Sequence, residues 1–163
     1  ISAFRNAAGM RRNELLPTIS PIGYAAEHRS LTERFMRRFA GSDYRLPWKD
    51  LFFDGNAKTP LSSEKAGEYG EALENVRLAP SASNQQPWRI VYDDQQKTFS
   101  FYLSRTIGYR KLRDVSLQEI DMGIVMCHFE LTVAELGLTG KWRQNESAPE
   151  IKPWEYITDW QAG

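Results

Sequence analysis

"RLAPSASNQQPWRIV", residues 77–91, is the stretch on which the reading of the whole chain turns. A helix-like run stops at Pro80, and positions 81–86 are filled by serines, an asparagine, glutamines and one alanine. Pro87 and Trp88 then lead into a strand-like run. An ordinary connection needs roughly two to five residues and one Gly or Asn. Hydroxyls and amides both donate and accept hydrogen bonds, so this set suits the edge of a flat heterocycle with alternating donors and acceptors. Rigid ends at Pro80 and Pro87-Trp88 would hold such groups in place. The same composition also suits a helix-to-strand link whose polar side chains satisfy local backbone groups. Composition alone does not separate the two.

Outward from this loop, helical spacing of Tyr69, Ala72, Leu73 and Val76 predicts a helix from Glu64 to Leu78, with Gly67 and Gly70 weakening its start. "WRIVYDD" and "TFSFYLS" read as a hairpin joined by "DQQK", the first strand apolar on both faces. Ser116-x-x-Glu119 is a capping box opening a helix over Leu117–Leu136, stopped by Gly137. Two apolar stripes run along it. Leu117, Ile120, Ile124, His128 and Leu131 form one; Met122, Val125, Met126, Phe129 and Leu136 form the other. Burial on both faces is expected, one stripe on the domain's own sheet and the one holding Val125 and Phe129 against a second copy of this helix or its counterpart in a missing half.

Upstream, "LLPTISPIGY" (15–24) reads as an extended edge segment. Ser30-x-x-Glu33 opens a short amphipathic helix over 31–39, stopped by Gly41 and basic on its outer face. "GSDYRLPWKDLFFDGN" (41–56) reads as a loop with one helical turn burying Trp48, Leu51 and Phe52, and "EIKPWEYITDW" as a terminal strand or aromatic surface segment.

The chain has 163 residues, enough for one domain with a sizeable core. Lys plus Arg and Asp plus Glu both number 21, so no bulk charge draws it to nucleic acid or anionic membrane. No apolar run in the 163 residues is long enough to span a bilayer, and none of them reads as a signal peptide. One cysteine forms no internal disulfide and suits a reducing cytoplasm; two scattered histidines make no metal-site pattern. Walker, Gly-x-Gly-x-x-Gly and Ser-His-Asp patterns are missing. Arg105, with Arg110, Lys111 and Arg113, forms a basic cluster that reads either as a phosphate site or as a solvated loop, the simpler reading. Arg45, in "YRLPW", reads as a phosphate ligand or as a stacking partner of Tyr44 and Trp48. Asp121, His128 and Glu135 read as a core histidine with carboxylates at a helix edge, and Cys127 as inert packing.

Ala79, Pro80, Ser81, Asn84, Gln86, Pro87 and Trp88 match the Ala-Pro-Ser-x-x-Asn-x-Gln-Pro-Trp motif of the nitroreductase family of flavoproteins, which this stretch resembles. The long helix closing in Gly137, Leu138 and Trp142 resembles that family's central helix. "LPTISPIGY" and "YRLPWKDLFF" precede the loop, an order similar to the TM-type subfamily in which one chain carries two related halves. The resemblance implies an α+β fold, an antiparallel sheet flanked by helices with a long buried central helix. It implies bound FMN, with NAD(P)H as electron donor and nitro compounds, quinones or similar small molecules as acceptors. It implies Ser81, Ser83, Asn84 and Gln86 as flavin contacts, with Arg45 and Arg105 as phosphate ligands. No catalytic side chain and no metal are needed, since the flavin carries the hydride. The family's Arg-Arg-Ser-x-Arg phosphate motif is not matched by "RRNELLP" at Arg11. The expectation is a single domain over 1–163 whose upstream segment is missing, pairing as a homodimer or with a related half. A flavin- or nucleotide-binding half without turnover, serving in dimer packing, is the alternative.

Overall fold

The computed structural model describes residues 2–11, 13–14, 22, 24, 32, 41, 43–108 and 116–163. The extended segment expected over 15–24 (all but Ile22 and Tyr24), nearly all of the helix expected over 31–39, and Arg110, Lys111 and Arg113 lie outside these.

After a short helix α1 (Ser2–Ala7), the fold is α+β, built on a five-stranded sheet in the order β1-β2-β3-β5-β4. β2 (Trp88–Asp93) and β3 (Thr98–Leu103) form the expected hairpin. The sheet is antiparallel except at one edge, where β1 (Phe52–Asp54) pairs parallel to β2, Phe52 opposite Ile90. β1 corrects the loop expected over 41–56. Its helical turn is present at Trp48–Asp50, but Phe52–Asp54, one residue further on, are a strand. Three residues are too short to display a period of two, and the partner lies in a distant part of the chain. A parallel pair requires a crossover. Here α2 (Ser63–Ala66) and α3 (Gly70–Leu78) supply it.

The crossover was expected as one helix. Ser62 caps α2 with its hydroxyl on the Lys65 N–H at 3.2 Å, and Gly67 at φ 54° breaks the run where a Cβ would be strained. Tyr69, Ala72, Leu73 and Val76 are all buried, as their spacing requires.

α4 (Leu117–Glu135) lies across the sheet beside α3, to which the Asn75 amide binds it through the Thr132 hydroxyl at 3.0 Å. Met122, Val125, Phe129 and Val133 are its inner face. The Phe129 ring meets Tyr69, Phe99, Phe101, Trp142 and Trp160, a cluster drawn from three strands and the α2–α3 connection. Val125 and Phe129 therefore face the chain's own core. The expectation that they meet a second copy is corrected. The other stripe stays partly exposed, with Leu131 65 % accessible, so a single face of the helix is covered among the described residues. Cys127 is exposed, not packed.

The helix ends at Gly137, φ 72°, as expected. β4 (Gly140–Arg143) and β5 (Glu155–Ala162) follow. β5 is an interior strand, paired with β3 and β4, and Phe53, Val91 and Tyr102 form a smaller cluster on the opposite sheet face with Ile151, Trp154 and Tyr156. No helix among the described residues is long and apolar enough to cross a membrane.

Candidate functional site

The loop after α3 is wound into a shape that L-residues resist. Ala82–Asn84 form one tight turn, and Ser83, Asn84 and Gln86 have φ of 51°, 52° and 47°. Lys97 is the one other non-glycine residue at positive φ among the described residues. Each such residue costs about 1–2 kcal/mol relative to the right-handed region, less for Asn. Such strain persists where neighbouring structure over-determines it, and it collects at functional sites.

Three sets of contacts impose it. On one side lies the arm 43–46. The Asn84 amide donates to the Gly41 carbonyl at 2.7 Å and the Tyr44 carbonyl at 2.9 Å. Its oxygen accepts from Arg45 at 3.3 Å and from the Gln86 amide at 3.2 Å. Buried Gln86 accepts the Leu46 N–H at 2.8 Å, and its own N–H binds the Ser81 hydroxyl oxygen at 2.8 Å. From below, Asp121 of α4 accepts the Ala82 N–H at 2.9 Å. Behind, the Gln118 amide donates to the Thr106 hydroxyl at 3.1 Å, which donates to Gln85 at 3.0 Å.

Asp121 is 2 % accessible, and its second carboxylate oxygen has no hydrogen-bond partner among the described residues. Burial raises its pKa above the ordinary carboxylate value, opposed by the Ala82 N–H. It is no helix-edge carboxylate. An aspartate two turns before Phe129 on an otherwise apolar face was the available signal. Gln118, Thr106 and Leu46 carried none, because their roles depend on which backbone groups the fold brings to the loop.

The structure brings Ser81, Ser83, Asn84, Gln86 and Arg45 together. Ser81, Asn84 and Gln86 point into the loop and its arm; Ser83 is exposed at the tip, with Tyr44 and Leu78 exposed nearby. Arg45 donates to the Leu78 carbonyl at 3.1 Å and the Tyr44 carbonyl at 2.9 Å. Arg105 is held elsewhere. Its guanidinium binds Glu155 at 2.7 and 3.1 Å, Glu119 at 2.9 Å and the Ser116 hydroxyl at 3.4 Å. Glu155 first and Glu119 second push its pKa up. The capping box expected at Ser116 does not form, since Ser116 makes no cap hydrogen bond and both of its members are taken by this arginine.

Residues 6–133, which include the loop, the hairpin and nearly all of α4, match the family model described as "Putative TM nitroreductase". The chain belongs to this nitroreductase family. It is thereby placed among oxidoreductases. The chain matches no curated protein and no solved structure. Within the nitroreductase match, the loop is the region with concentrated backbone strain, and α4 is its floor.

Proposed function

We propose that this nitroreductase-family chain is an FMN-dependent oxidoreductase that passes electrons from NAD(P)H to nitro compounds, quinones or similar small acceptors. The observation that carries the reading is the braced left-handed loop 81–86 inside the family match. Its tip fits the edge of a flat ring. Ser83 is exposed at the tip, and the exposed Tyr44 and Leu78 side chains offer apolar surface for a ring. Ser81, Asn84 and Gln86 hold the tip in shape, so they act by positioning, and Ser83 makes contact. The Arg45 cation at the same edge favours the anionic end of FMN. Arg105, neutralised by two carboxylates, braces the start of α4 instead.

Bound FMN supplies hydride acceptance and release. This chain's residues bind it, fix its plane and exclude water from one side. The half-exposed stripe of Leu117, Ile120, Ile124 and Leu131 serves pairing, with a second copy or a related half, in a reducing cytoplasm. The inward turn of Ser81, Asn84 and Gln86 favours a second reading, a half that binds flavin or nucleotide without turnover.

A visible absorption spectrum with added FMN tests both. A yellow protein that bleaches with NADPH supports the oxidoreductase. A yellow protein inert to NADH and NADPH supports the second reading. A folded protein that stays colourless with excess FMN refutes both.

A further inference from the structure

Gln85 falls between Asn84 and Gln86, at a position the loop motif leaves unspecified, and the flavin reading gives it no part. Its side chain nonetheless ties the tip of the loop to α4. The Gln85 amide donates to the Ser83 carbonyl at 3.2 Å, and its oxygen accepts the Thr106 hydroxyl at 3.0 Å. That hydroxyl in turn accepts the Gln118 amide at 3.1 Å. Gln118 is 4 % accessible and lies in the first turn of α4, so the chain of bonds runs from a buried helical anchor to the exposed Ser83.

Every bond in the chain has a fixed direction. A backbone carbonyl only accepts, so the Gln85 –NH₂ must face Ser83 and its oxygen must face Thr106. The Thr106 hydroxyl has one proton, which that oxygen takes, and a donor must then meet the hydroxyl from behind. Gln118 supplies that donor. Hydrogen bonds aligned head to tail in this way strengthen one another. The backbone that carries Thr106 is fixed as well. The Ser104 N–H donates to the Pro87 carbonyl at 2.7 Å, and Arg105 is clamped to Glu155 and Glu119. Ser83 sits at φ 51° without the tolerance of that region that Asn84 has, so bracing from outside the loop has most to hold there.

We propose that Gln85, Thr106 and Gln118 are positioning residues for the flavin edge, holding Ser83 in the left-handed conformation in which the tip meets the ring. The inference rests on the flavin reading for its ligand and on this chain of bonds for its mechanism. The three residues act through Ser83 and not by touching the ring. FMN affinity then depends on one hydroxyl, that of Thr106, which lies outside the loop.

Amide exchange with water, followed by NMR on the whole chain without added flavin, reads the bracing directly. The Asn84 N–H closes the tip turn on the Ser81 carbonyl at 3.0 Å. It should exchange about fivefold faster in Thr106→Val, for one net hydrogen bond lost. Gln85→Glu keeps the acceptor for Thr106 and turns the donor facing Ser83 into a second acceptor, so it should do the same even if Thr106→Val fails to fold. Thr106→Ser should match the parent, and the Ile90 N–H, bonded to the Leu51 carbonyl, should exchange alike in all four proteins. In an FMN titration, Thr106→Val should bind about fivefold more weakly and Thr106→Ser like the parent. Parent-like exchange at Asn84 in both Thr106→Val and Gln85→Glu, equal acceleration at Ile90, no rescue by serine, or undiminished FMN affinity in Thr106→Val would each overturn the proposal. A parent that takes up no FMN overturns the flavin reading and the ligand with it; exchange at Asn84 then still decides whether the chain of bonds holds the tip.

Discussion

Asn84→Ala separates bracing of the loop from direct contact with flavin. The substitution removes two short bonds, to the Gly41 and Tyr44 carbonyls at 2.7 and 2.9 Å, and two longer ones from Arg45 and Gln86. At about 1 kcal/mol net for each short bond, the loss is ~2 kcal/mol. Alanine at φ 52° adds about 1 kcal/mol, because asparagine tolerates that region and alanine does not. The expected total is ~3 kcal/mol for Ala. Asn84→Gly keeps the backbone freedom and loses the bonds, so about 2 kcal/mol is expected. Urea unfolding followed by tryptophan fluorescence measures both variants, and an FMN titration follows each. Bracing requires stability and FMN affinity to fall together, with Gly milder than Ala. Unchanged stability with weakened FMN binding would refute bracing and make Asn84 a direct flavin contact. Unchanged stability and unchanged affinity would remove the loop as the flavin site.

Trp88 is fully buried where the loop enters β2, so Trp88→Ala should cost ~3–5 kcal/mol, read as a fall in urea midpoint; a wild-type midpoint would contradict its core position. Asp121 has a folded pKa raised by burial, so its contribution to stability is full below the unfolded value and is lost as pH rises through the folded one. Asp121→Asn keeps an acceptor for the Ala82 N–H and removes the buried charge. It should be at least as stable as the parent at neutral pH, with the gain vanishing in acid; a less stable Asn variant at neutral pH would show that the charge itself holds the loop. Leu131→Glu places a charge on the exposed stripe of α4 without touching the core, so folding should survive and sedimentation should show lost association; an unchanged sedimentation coefficient from an associated parent would move the interface elsewhere.

Local patterns in the chain carried the hairpin, the inner face of α3, the span of α4 and its stop at Gly137. Each rests on contacts between residues close in sequence: alternation within a strand, a three-to-four spacing along a helix, a glycine at positive φ. The motif around Ser81–Trp88 also marked the loop as the place to look, because its polar content exceeds what a turn needs. What the loop does with that content was settled by distant segments. Asn84 and Gln86 find their partners in the arm at 41–46, and the floor is Asp121, 39 residues beyond Ala82. The same limit hid β1, whose partner lies across the crossover, and the ion pairs of Arg105, whose carboxylates come from α4 and β5. It also reversed the faces of α4. A stripe records that residues are apolar, and only the sheet beneath decides that Phe129 is inside and Leu131 outside. Hydrogen bonds and burial are pair properties, and when the partners are far apart in the chain it is the tertiary fold that chooses them.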